Sequence, residues 1–254
     1  TALLHSGVIA ARNKAAIWST YALAFATFSL SILGTFVVRS GILTSVHAFA
    51  VDPTKGLVLL GVLSLLVIIT FGVLIVRGEQ LPRFKLQSLA SRAYTAYIAI
   101  GLLVIATAIV FLGTFYPMVY QLLGLGNISV GAPYFNSLIF PVSVLALVAL
   151  AFMPALKWMK GTRSCAYQDA LISTTVSTVS CIGFVREVDV LHVEVLLMIA
   201  LATWVAAAHL VMLCRSERKS QLMPMTLAHI GFALAGSGAV FNSHYSYEYN
   251  LRVE

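Results

Sequence analysis

Residues 38–56 read Val-Arg-Ser-Gly-Ile-Leu-Thr-Ser-Val-His-Ala-Phe-Ala-Val-Asp-Pro-Thr-Lys-Gly. They separate two long apolar runs, 15–37 and 56–76, and hold Arg39, His47, Asp52 and Lys55 in a chain where charge is scarce. Gly41, Pro53 and Gly56 punctuate the stretch, so it reads as a structured loop or short helix at a membrane surface. An ionisable cluster in such a place is a candidate functional site.

The apolar runs on either side decide the class. The chain has 254 residues, 60% hydrophobic and 10% charged, where a soluble domain carries about a quarter charged residues. It cannot cover itself with polar surface in water and is predicted to be a polytopic membrane protein. A spanning helix needs about 20 apolar residues. Such runs lie near 15–37, 56–76, 94–116, 134–157, 165–185, 190–213 and 224–243, and 1–11 reads as the tail of one more helix. The expected fold is an all-α transmembrane helix bundle of about seven full spans, forming a single membrane domain over 1–254. There is no initiator Met and no signal peptide, so the chain is expected to begin inside a longer protein.

Charge orients the bundle. Arg12, Lys14, Arg77, Arg83, Lys85, Arg92, Lys157, Lys160, Arg163, Arg215, Arg218 and Lys219 all fall on one side of the alternating spans. Arg39, Lys55, Arg186 and Arg252 fall on the other. The bias makes the first side cytoplasmic and accounts for the net charge of +7 without nucleic acid as a partner. The 38–55, 117–133 and 186–189 loops then face outward. The uncharged 117–133 segment reads as interfacial, with a Gly-rich turn.

Cys165, Cys181 and Cys214 are isolated and read as apolar fillers. There is no Cys-x-x-Cys-His, so the chain does not carry its own c-type haem, and no P-loop, zinc-protease or Gly-x-Ser-x-Gly motif. Six histidines remain. His5 lies seven residues before Arg12, about 10 Å along a helix from the cytoplasmic boundary. His229 lies five residues after Pro224, which reads as the first helical position, so roughly 8 Å from the same side. Two imidazoles at matched depth are what a low-spin haem needs, one on each face of the iron. His47 on the outward side is a candidate ligand for something docked from outside. Arg39 and Lys55 are candidate contacts for carboxylates such as haem propionates, although ordinary snorkelling to the interface explains them too. His192, His209 and His244 read as a solvated loop residue and two structural ones.

Several segments carry a resemblance. TALLHS at 1–6, LGTFVVRSGILTSVHAFAVDP at 33–53, LGLGNISVGAPYFN at 123–136, LAHIG at 227–231 and FNSHYS at 241–246 closely resemble the CcmF/NrfE family of cytochrome c-type biogenesis proteins. The resemblance covers essentially the whole chain. It implies haem binding and a haem lyase subunit in the bacterial inner membrane. Such a subunit acts with the haem chaperone CcmE, the thiol-handling subunit CcmH and apocytochrome c. It further implies that His5 and His229 hold a permanent haem b, and that His47, in a periplasmic loop, ligates the transient haem. A quinol is implied as electron source. The family's Trp-rich segment and second external histidine are expected upstream of Thr1. A periplasmic domain and a final span are expected beyond Glu254, so a truncated piece is expected rather than a natural split subunit. The rival readings are a haem or small-molecule transporter, for which only Gly/Ser-rich places such as 236–238 speak, and a structural assembly subunit without cofactor.

Overall fold

The computed structural model describes residues 1–39, 53–78, 88–126 and 128–246. His47, Asp52, Arg83 and Lys85 lie outside the described residues. The fold is all-α. Its helices are α1 (Ala2–Asn13), α2 (Ile17–Arg39), α3 (Pro53–Arg77), α4 (Arg92–Leu122), α5 (Ala132–Phe152), α6 (Ala166–Glu187), α7 (Val193–Cys214) and α8 (Lys219–Tyr245), with a 3-10 turn at Met153–Ala155. The only strand-like pairing among the described residues is an isolated bridge between Leu156 and Thr162. Lipid offers no partner for backbone polar groups, so long apolar runs are driven into helices that satisfy their own. Among the described residues, α2, α3, α4, α5, α7 and α8 are long and apolar enough to cross a membrane. α6 matches the expected fifth run and has 22 residues, but it falls short in apolar content. Its hydroxyls fold back on the helix: Ser173 donates to Asp169 O at 2.8 Å, Thr174 to Ala170 O at 2.8 Å and Thr175 to Leu171 O at 2.9 Å.

Prolines move three helix ends away from where the sequence places them. α8 begins at Lys219, so Pro224 lies inside the helix and not at its first position. The bond it forfeits is to the carbonyl of Ser220, an exposed residue in the first turn, where water can substitute. His229 is therefore ten residues into α8, about 15 Å along it, deeper than the expected 8 Å. α4 runs through Pro117 to Leu122, so the first part of the expected 117–133 loop is helix. Pro117 strips the donor from the carbonyl of Gly113. At that glycine an added Cβ would lie 2.7 Å from both Phe135 and Tyr134 ring atoms. α5 stops at Phe152 and tightens into the 3-10 turn around Pro154.

The chain packs as two units. The first comprises residues 1–86 and 96–139. Here Lys14 and Ala16 take left-handed backbone conformations (φ 50° and 58°) to reverse the chain between α1 and α2. Hydroxyls close that turn. Ser19 and Thr20 donate to Ala16 O at 2.8 and 2.9 Å, and Ser6 shares a hydrogen bond with Thr20 at 2.7 Å. Ile9, Ala15, Ala16 and Ile100 form the core beside them. The base of α1, which carries His5, is thereby fixed.

The second unit comprises residues 87–95 and 140–254. Its core is Leu147, Ala151, Met198, Ala202, Val205 and Ala233. α7 packs against both α6 and α8. Its buried residues Val195, Met198, Ala202, Val205, His209 and Met212 recur at alternating spacings of three and four, the seam of knobs-into-holes packing. At one end of the unit Asp169, 5% exposed, sits 3.4 Å from Arg163 Nη1 and 3.0 Å from Arg215 Nε. The Arg215 contact is close but poorly aligned for a hydrogen bond, so it acts as an ion pair. Arg92 donates to Met153 O at 3.2 Å and Pro154 O at 3.1 Å. Arginines thus tie α4, the 3-10 turn, α6 and α7 together.

Candidate functional site

The α7 seam carries a histidine where apolar residues would continue the pattern. His209 is fully buried, four residues after Val205 and three before Met212, so the helical repeat aims it at a neighbour. That neighbour is α8. Nε2 of His209 lies 3.0 Å from Nδ1 of His229, with the two rings nearly perpendicular at 85°. Nδ1 of His209 lies 2.9 Å from the carbonyl oxygen of Val205, one turn earlier.

These two contacts assign the tautomers. A carbonyl oxygen only accepts, so His209 Nδ1 carries the hydrogen. In a neutral ring Nε2 then accepts, and His229 Nδ1 must donate to it. The lone pair of a neutral His229 therefore falls on Nε2, the nitrogen at the far end of its ring. His5 follows the same logic with a simpler partner. Its Nδ1 donates to Thr1 O at 3.1 Å, which leaves the lone pair on Nε2. In each predicted ligand Nδ1–H is taken up by an acceptor, so a neutral ring carries its lone pair on Nε2. That is the donor chemistry a haem iron takes from histidine, and it fits the group the sequence implied.

His5 belongs to the first unit and His229 to the second. Each is half-buried. Of the external candidates, Arg39 is the last residue of α2 and Lys55 lies exposed in the first turn of α3. The two helices pack together, and the segment between them in sequence, which carries His47, is outside the described residues.

A second histidine grouping lies at the other end of α7 and α8. His244 Nε2 is 3.0 Å from Glu194 Oε2, and its Nδ1 donates to Val240 O at 2.9 Å. His192 places its ring 4.8 Å from that of His244 and 5.2 Å from Tyr245. Tyr245 donates to Val190 O at 2.6 Å. The contacts of His244 and Tyr245 tie the end of α8 to the loop between α6 and α7 and to the first turn of α7, so His192 and His244 belong to one polar clasp. No group of three His, Cys, Asp or Glu residues among the described ones is arranged to hold a metal ion.

Sequence reasoning missed the contact between His209 and His229. The signal was present in part. The alternating spacing 195, 198, 202, 205, 209, 212 puts His209 on the packed face of its helix, while its partner, 20 residues on, is set by how α8 docks.

No family model matches the chain, and no solved structure matches it. Curated proteins do. "Cytochrome c-type biogenesis protein NrfE" of Haemophilus influenzae is 35% identical over 263 residues, which is 99% of this chain and 40% of that protein. "Cytochrome c-type biogenesis protein CcmF" of Escherichia coli is 33% identical over 262 residues, 100% of this chain and 40% of that protein. "Cytochrome c-type biogenesis protein CycK" of Bradyrhizobium diazoefficiens is 43% identical over 162 residues, 63% of this chain and 24% of that protein. The chain spans about 40% of the length of the relatives that align to all of it. With an all-α polytopic fold and similarity to CcmF and NrfE along its whole length, the chain belongs to the CcmF/NrfE family of cytochrome c-type biogenesis proteins.

Proposed function

We propose that this chain serves cytochrome c maturation as the part of a haem lyase subunit that carries a b-type haem between His5 and His229. In this reading it sits in the bacterial inner membrane with its basic loops cytoplasmic and the His47 loop periplasmic. Haem brought by the chaperone CcmE meets His47, and Arg39 and Lys55 pair with its propionates through charge-assisted hydrogen bonds. Apocytochrome thiols, presented with CcmH, then add across the vinyl groups. The bound haem b supplies one-electron redox chemistry, with a quinol as the electron source. The chain's own residues do the rest. His5 and His229 offer Nε2 to the iron, and the cations on either side of His47 in sequence hold the delivered group in register.

The observation that supports this reading is the 3.0 Å contact between Nδ1 of His229 and Nε2 of the buried His209, which turns the Nε2 edge of the His229 ring away from that partner. Purification of the full-length protein containing this chain tests it. The expected reduced-minus-oxidised spectrum is that of a low-spin b-type haem. His47→Ala should keep this spectrum while haem attachment to apocytochrome stops. A colourless wild-type protein, or loss of the b-type spectrum in His47→Ala with the protein still inserted, overturns the reading.

A further inference from the structure

We propose that His209 is a positioning residue for the haem-ligating nitrogen of His229, and that it makes His229 the more basic of the two axial ligands. The inference rests on the reading of His229 as a ligand and adds a residue and a direction of tuning to it.

The geometry is a three-member chain: Val205 O, His209 and His229. His209 is fully buried on α7, held at one end by the Val205 carbonyl at 2.9 Å and meeting His229 at the other at 3.0 Å. A ring fixed at one nitrogen and packed in an interhelical seam can turn only at a cost to both. It therefore sets the orientation of His229 as well as its tautomer. An imidazole nitrogen is a stronger acceptor than a backbone carbonyl. A ligand histidine that donates its Nδ1–H to such an acceptor gains electron density at Nε2, binds iron more tightly and favours the ferric state. His5 donates to the Thr1 carbonyl at 3.1 Å, a weaker acceptor. The two proposed ligands are therefore chemically unequal, with the stronger push from α8.

Gln at position 209 keeps an acceptor, its side-chain carbonyl. Leu keeps approximate volume and removes the acceptor. In the full-length protein, His209→Leu is expected to weaken haem retention about 10- to 100-fold and to move the haem potential in the positive direction. His209→Gln should restore much of both. Wild-type retention and potential in His209→Leu overturn the inference, and so does a Gln variant as defective as the Leu variant, since packing alone would then account for the loss. If His209→Leu fails to insert, solid-state 15N NMR of His-labelled, haem-free wild-type protein decides. A protonated Nδ1 and bare Nε2 on His229 are expected, and the opposite tautomer overturns the inference. A wild-type protein that holds no haem overturns the parent reading together with this one. A wild-type protein with haem and an unaltered His209→Leu removes only this one.

Discussion

Asp169 shows how a single carboxylate is kept at the edge of an apolar helix. It is buried, yet Arg163 and Arg215 reach it from two directions at 3.4 and 3.0 Å. Removing one partner of such a cluster leaves charges without their counter-ion. Asp169→Ala is expected to destabilise the protein by about 3 kcal/mol, the low end for such pairs because both arginines keep some access to solvent. Thermal unfolding in detergent measures this, and an unchanged midpoint would show that the arginines find water instead. The same scale explains what was and was not readable in the histidines. His5 and His229 stood out because charge and proline positions suggested matched depths, although α8 starts at Lys219 and so sets His229 deeper along its helix than Pro224 implied. His209 did not, because a lone histidine in an apolar run looks the same whether it faces a carbonyl or another imidazole.

At the level of the element, apolar periodicity translated directly into helices, since a membrane leaves the backbone no other choice. The ends were less legible. Pro117 and Pro224 look like boundaries in sequence, yet both lie within helices. A proline costs one hydrogen bond, and at Pro224 that cost is small because the orphaned carbonyl belongs to the exposed Ser220 in the first turn of α8. Pro224→Ala therefore should return a bond to α8 and raise stability by about 1 kcal/mol. Were Pro224 the first helical residue, as its sequence context implies, the same change would be neutral or destabilising. Hydrogen exchange at residues 219–225 separates the two, with slower exchange in the Ala variant expected. α6 gives the complementary lesson. Its length fits a span, but whether its Ser and Thr side chains are satisfied depends on folding back to their own carbonyls, and on Ser177 reaching Ala200 O at 2.8 Å on α7. Hydropathy does not register that.

For the molecule as a whole, the distribution of basic residues predicts an orientation that labelling can check. With Cys165, Cys181 and Cys214 replaced, a cysteine at Lys160 should be reached by thiol reagents only from the cytoplasmic side, and one at Leu125 only from the outside. Labelling of both from one side would contradict the predicted topology, and labelling with the two sides exchanged would reverse the assignment of the His47 segment to the periplasm. The central claim is that His5 and His229 ligate one haem, and the most direct test is chemical rescue. In the full-length protein, replacing either residue by Gly removes one axial nitrogen and leaves a hole about the size of imidazole. The expected result is haem that is lost or high-spin in each single variant, and a low-spin spectrum partly restored by added imidazole. The double variant should be no worse than the poorer single one, and His192→Gly should be indistinguishable from wild type. A wild-type low-spin spectrum in His5→Gly or in His229→Gly, without imidazole, would contradict the claim.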